Sequence, residues 1–157
     1  MDASIEINTN CSLAAVRKIA TLFAETLRRL VPEATVAAVE LAVAEACTNL
    51  VLHGAKNDSS LPLDARLTLR GETLRVTLMD RGEAYDLRQR RSDASGAVAN
   101  VEALGPSGRG IFLINDLMDR VDYEVRDGRN VMTLTKTVSR IALEDPLRPQ
   151  ARRERAT

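Results

Sequence analysis

Hydrophobic residues along this chain recur with two different periods, and the change of period marks the elements. Leu13, Val16, Ile19, Ala20, Phe23, Leu27 and Leu30 fall three or four apart, which predicts an amphipathic helix. Ser12, just ahead of them, has the side chain of an N-cap. Pro32 and Glu33 suit the first turn of a second helix, since proline gives up no needed N–H there and an acid suits the dipole. Its apolar stripe is Val36, Val39, Val43, Cys47 and Leu50, and Gly54 is the expected stop. A period of two then takes over. Ala65, Leu67, Leu69 and, across Gly71, Leu74, Val76, Leu78 alternate with polar residues and predict an antiparallel hairpin. A third helix carries Ile111, Ile114, Leu117 and Met118. Val121, Tyr123, Val125 and then Val131, Thr133, Thr135 flank Asp127-Gly128, a turn pair that predicts a second hairpin. A short strand is expected over Ser4–Asn8.

Between the hairpins, residues 85–104 have no clean period and contain Arg88, Arg90, Arg91, Ser92, Ser95 and Gly96. A loop that long inside a compact domain is usually functional or mobile. Residues 140–157 are polar and Arg-rich, with Pro146 and Pro149, and read as a tail beyond a domain of residues 1–138. The order is strand, helix, helix, strand, strand, loop, helix, strand, strand. It predicts a two-layer α/β sandwich, with helices on one face of a mainly antiparallel mixed sheet.

Composition narrows the function. The 157 residues suit one domain, and 45% hydrophobic content with no Trp, two Tyr and two Phe requires an aliphatic core. Lys+Arg and Asp+Glu are both 22, which argues against a nucleic-acid binder working through a dominant positive field. Cys11 and Cys47 have no metal-ligand spacing and fit a reducing cytoplasm better than a disulfide scaffold. No apolar run reaches the roughly 20 residues of a membrane span, and the N-terminus is not a signal peptide.

Three segments carry the chemistry. In the first, Glu45, Asn49 and His53 stand at i, i+4 and i+8 of the second helix, on one face with about 6 Å between neighbours. A carboxylate there can take a proton from an attacking hydroxyl, and an amide oxygen can ligate a hard cation such as magnesium. His53 fits a structural hydrogen bond or a phosphate-side contact better than a metal ligand. The second is Asp80-Arg81-Gly82, at the end of a strand. A buried carboxylate there can accept from an adenine amino group, and Gly82 lets the backbone turn beside it. The third, Gly105-Pro106-Ser107-Gly108-Arg109-Gly110, runs into a helix, where exposed N–H groups and the dipole favour phosphate. Its glycine spacing is neither a dinucleotide fingerprint nor a P-loop. Each segment alone is common; their order and context give them weight.

In that order they resemble the N, G1 and G2 boxes of the GHKL ATPase superfamily. Within it they are most similar to the RsbW-type anti-sigma factor serine/threonine kinases. The residues that carry this are 45–53 (EACTNLVLH), 80–86 (DRGEAYD) and 108–114 (GRGIFLI) followed by Leu117-Met118-Asp119. The likeness runs from about Ile5 to Val138. It implies the Bergerat-type ATP-binding fold, ATP and Mg2+ as cofactors, Glu45 as general base and Asn49 as the magnesium ligand. Asp80 would read the adenine amino group, with Gly82 and Ala84 on that wall. Ala84 stands where the superfamily has a second glycine. Gly105, Ser107, Gly108, Arg109 and Gly110 would line the phosphates and the lid. A polar residue on the last strands would support the adenine site, and Asn130 and Thr133 both qualify.

The implied activity is a cytoplasmic anti-sigma factor kinase that phosphorylates an antagonist protein on Ser or Thr and also holds a sigma factor. The implied assembly is a homodimer through the N-terminal strand and first helix, with no direct nucleic acid or membrane partner. A nucleotide-gated binding switch without phosphotransfer is the alternative. A sensor histidine kinase is disfavoured because the single histidine, His53, sits in the pocket segment. Gyrase-like and chaperone ATPases are disfavoured because no second domain is evident.

Overall fold

The computed structural model describes residues 1–84 and 106–141, with the side chains of 106–109 outside that description. The predicted 85–104 loop and nearly all of the predicted tail lie outside the described residues. The elements follow in the expected order. Strand β1 (Ala3–Asn10) leads to helices α1 (Leu13–Leu27) and α2 (Glu33–Asn49), then β2 (Pro62–Arg70) and β3 (Thr73–Asp80). Helix α3 (Pro106–Leu117), β4 (Arg120–Arg126) and β5 (Arg129–Thr137) complete it. The strands form one sheet in the order β1-β2-β3-β5-β4, and all four pairings are antiparallel, so the sheet is not mixed among the described residues.

Local signals explain the boundaries. The Ser12 side chain accepts from the Ala15 N–H at 3.1 Å, a cap worth about 1 kcal/mol. Gly71 (φ +54°) turns the first hairpin, and Asp127 (φ +52°) with Gly128 (φ +70°) turns the second, the left-handed pair that a two-residue loop requires. Residues beyond β5 remain docked as far as Ile141, whose N–H donates to Leu30 O at 3.0 Å.

The inner face of the sheet is aliphatic, as the composition requires. Leu63, Ala65, Leu67 and Leu69 of β2 and Leu74, Val76 and Leu78 of β3 are fully buried, and they pack with Ile19, Phe23, Leu27, Val39 and Val43 of the helices. Leu13 departs from the expected stripe and is 58% exposed, as the first residue of its helix. Together with the π-helical turn that follows it, α2 spans 22 residues apolar enough by length and composition to cross a membrane. Half of the span is buried, which is the setting of a core helix. That run was not expected from the sequence, because Glu33, Glu40 and Glu45 interrupt it.

The second hairpin corrects one reading. A two-residue loop pairs Arg126 with Arg129, so Val125, Tyr123 and Val121 face Asn130, Met132 and Leu134. Those three β5 residues are buried on the helix side, whereas Val131, Thr133 and Thr135 lie on the other face.

Candidate functional site

The site stands at one end of the inner face, where β3 ends and β5 begins beneath the end of α2. Asp80 continues the buried column Leu74, Val76, Leu78, and the register sets it directly across from Asn130. Both are 5% exposed. A carboxylate so placed needs donors. Asp80 Oδ1 accepts from the Gly82 N–H at 2.7 Å and from Asn130 Nδ2 at 3.0 Å. Burial pushes the Asp80 carboxyl above the usual carboxylate range, and these two bonds pull against that rise. Asn130 Nδ2 also donates to Gly82 O at 3.0 Å, and Asn130 Oδ1 accepts from the Tyr123 hydroxyl at 3.0 Å.

Gly82 is required by a backbone approach. A Cβ there would lie 2.5 Å from Gly54 O and 2.6 Å from Gly54 C. The contact is held by the Glu83 N–H, which donates to Gly54 O at 2.9 Å. Gly54 ends the π-helical turn Leu50–Gly54, closed by the Ala55 N–H to Leu50 O at 2.8 Å, an i→i+5 bond. Such turns are frequent at functional sites. No pattern along the chain marks it. Half-buried His53 lies in this turn, beyond the regular α-helix that carries Glu45 and Asn49.

Glu45 and Asn49 do share a face of α2, one turn apart. Glu45 is half-buried. Asn49 is 3% exposed, and its Nδ2 has no hydrogen-bond partner among the described residues. Helix α3 covers them. A Cβ on Gly110 would lie 2.6 Å from Glu45 Oε2 and 3.3 Å from Asn49 Nδ2, so the glycine admits the two side chains. Ser107, Gly108 and Arg109 fall in the first turn of α3, where side chains are outside the described residues, and Gly105 lies outside them altogether. Ala84 is exposed, so its methyl group does not pack against the wall.

Thr133 is a correction. It lies on the outer face, in a groove with Arg75, Asp122 and Thr135, and pairs with Thr77, three residues before Asp80 and on the opposite face of β3. Asn130 is the last-strand residue at the site. The signal was present in the sequence: a two-residue Asp127-Gly128 loop fixes the register, and with it the inward set. Tyr123 went unrecognised because only the pairing with Met132 brings it beside Asn130.

Between the β3 end and the π turn lies a cleft of about 10 Å³, lined by Leu50, Gly54, Asp80, Glu83, Tyr123, Asn130 and Met132. It has room for about one water.

A sheet covered on one face by helices, with an acid–amide pair on one helix and a buried carboxylate at a strand end, defines a nucleotide-binding domain of the histidine kinase type. The model of the histidine kinase-like ATPase domain matches residues 9–136, and the chain belongs to that family. Among named proteins it is similar to the serine-protein kinase RsbW of Bacillus licheniformis, 28% identical over 109 residues and 68% of each chain. It is 31% identical over 113 residues to the protein of that name from Bacillus cereus (strain B4264), covering 71% of this chain and 69% of the relative. Among solved structures, that of the RsbU and RsbW domains of Rv1364c from Mycobacterium tuberculosis superposes with a TM-score of 0.63 at 20% identity. The match covers 89% of this chain and 34% of that one, and it shows the shared fold.

Proposed function

We infer that this chain is an ATP-dependent protein serine/threonine kinase acting as an anti-sigma factor in partner switching. It holds a sigma factor and phosphorylates the antagonist protein on Ser or Thr. The observation that carries the reading is the placement of Glu45 and Asn49 on one turn of α2 against Gly110. The names of the relatives support it.

In this reading the Glu45 carboxylate accepts the proton of the attacking hydroxyl as the phosphoryl group is transferred. Asn49 could offer its amide oxygen to Mg2+, which takes few protein ligands beside substrate phosphates; its Nδ2, the atom without a partner among the described residues, is a donor and would not ligate the ion. When bound, ATP supplies the phosphoryl group and Mg2+ neutralises its charge.

Asp80 accepts from the adenine amino group. An adenine ring exceeds the 10 Å³ cleft, so the base could enter only if the wall opens, and Glu83 stands at its edge. The Lys56–Glu83 ion pair across that edge (2.7 Å) is more than 60% exposed at both ends and offers little resistance. Gly105, Ser107, Gly108, Arg109 and Gly110 line the phosphates and lid, with His53 on the phosphate side. We further infer a cytoplasmic homodimer, joined through β1 and α1.

The test is phosphotransfer from labelled ATP with Mg2+ to antagonist-domain proteins of the same genome, comparing the native chain with Glu45→Ala. The expected result is a phosphoserine or phosphothreonine product whose rate falls about 10²–10⁴-fold in the variant while ATP binding is kept. Transfer undiminished by Glu45→Ala would overturn the assignment of the base. ATP binding and partner capture without product would instead indicate a nucleotide-gated binding switch.

A further inference from the structure

Lys136 is the charged member of the inward set of β5. Asn130, Met132, Leu134 and Lys136 alternate toward the helices, and Lys136 lies opposite fully buried Leu74. A charge on that face needs a partner. Its half-buried side chain donates through Nζ to the carbonyl oxygen of Leu117, the last residue of α3, at 2.7 Å. The bond satisfies a carbonyl that a helix end leaves open and sets a cation against the negative end of the dipole. Two more bonds tie the chain just beyond to the same strand. The Asp119 N–H donates to Thr135 O at 3.0 Å, and Asp119 Oδ2 accepts from the Thr137 N–H at 2.6 Å. The end of α3 is thus fastened to β5 by two side chains, Lys136 and Asp119. Toward its other end, roughly 10 Å from Leu117 along the axis, the helix brings Gly110 against Glu45 and Asn49.

We propose that Lys136 and Asp119 are positioning residues for the phosphate side of the site: they fix where α3 lies along β5, and so where its Gly110 end meets the nucleotide. The idea rests on the nucleotide-binding reading above. Ile111 and Ile114 of α3, and Met118 just after it, are buried in the core. Apolar burial is non-directional, so it presses the helix onto the core without by itself selecting a position along the axis. Hydrogen bonds are directional and do select one. Released at its end, α3 would hold its productive position only part of the time, and a ligand that needs that position would bind more weakly in proportion. The base meets other groups. Asp80 is held by Gly82 and Asn130, neither of them on α3. The two ends of a nucleotide therefore report separately on the two halves of the site.

The experiment titrates the full chain with adenosine and with a non-hydrolysable ATP analogue, comparing the native protein with the double variant Lys136→Met, Asp119→Ala. Melting temperatures are recorded alongside. The variant removes both side-chain bonds, and methionine keeps most of the aliphatic stem of the lysine. It is expected to bind the ATP analogue about tenfold more weakly and adenosine as the native chain does. Lys136→Arg keeps a donor for Leu117 O, and Asp119→Asn keeps an acceptor for the Thr137 N–H, so each should bind both ligands as the native chain does. Should the double variant fail to fold, Lys136→Met alone carries the comparison, with a loss of about threefold confined to the ATP analogue. Equal weakening of both ligands, or an ATP analogue bound undiminished, would overturn the positioning role. Native binding of the analogue with none of millimolar adenosine would equally overturn it, since the two halves of the site would then not act separately. A native chain that binds neither ligand would overturn the nucleotide reading itself, and this inference with it.

Discussion

Gly110 stands against Glu45 so closely that a methyl group on the glycine would come within 2.6 Å of the carboxylate oxygen Oε2. The atom in the way is the far end of a flexible side chain, so Gly110→Ala displaces the carboxylate and leaves the helix pair in place. The expected outcome is a small change in melting temperature and a phosphotransfer rate lower by about 10²-fold, the usual cost of moving a reacting group by about 1 Å. Steady-state kinetics check it: kcat should fall much more than KM for ATP changes.

Gly82 presents the opposite case. Its added Cβ would meet Gly54 O at 2.5 Å, Gly54 C at 2.6 Å and Ala55 N at 2.9 Å, all backbone atoms of the π turn. No rotamer relieves that contact. Gly82→Ala should separate the β3 end from α2, break the Glu83-to-Gly54 bond, and cost about 1–3 kcal/mol. Thermal unfolding and ATP titration together check it, with both expected to suffer.

Asp80 trades stability for recognition. Its folded pKa is raised above the ordinary value near 3.8, with burial the main cause. The sign follows from linkage: a raised carboxyl contributes stability that is complete below pH 3.8 and is lost as pH rises through the folded value. At neutral pH the ionised group therefore costs stability. Asp80→Asn keeps an oxygen to accept from the Gly82 N–H and Asn130, so the variant should melt at least as high as the native chain at pH 7. The gap should narrow as pH falls through the folded value. Adenine binding should weaken by roughly 1.5–3 kcal/mol, or about ten- to hundredfold, since a charged acceptor is lost.

The two cysteines are free and buried. Burial is the first cause that pushes the Cys11 thiol up to about 11 and the Cys47 thiol up to about 12. At pH 8 a two-unit rise from 9.0 leaves about a hundredfold less thiolate than in the unfolded chain. A thiol-specific reagent should label the native protein at least that much more slowly than the protein in denaturant. Stability from these groups is full below pH 9 and declines as pH rises through 11 to 12.

The sequence by itself determined the elements and their order, because each is set by local chemistry. Ser12 caps α1, Pro32-Glu33 opens α2, Gly71 and Asp127-Gly128 turn the hairpins, and alternation sets which residues of β2 and β3 face the helices. It also singled out Glu45, Asn49, Asp80 and Gly82, whose types and spacing are written within single segments. The Asp127-Gly128 turn even contained the register that buries Asn130 and turns Thr133 outward, since a two-residue loop leaves one pairing available. Tertiary structure alone decided what lies between segments distant in the chain. Gly82 is needed because Gly54 approaches it, 28 positions away, and Gly110 because Glu45 does, 65 positions away. The π turn that carries His53 meets the end of β3 through Gly54 and Gly82, a contact that no local propensity encodes. Tyr123 joins Asp80 through Asn130 only once three strands lie side by side. Hydrogen-bond geometry and steric exclusion act through space at about 3 Å, and a linear pattern records only what is near along the chain.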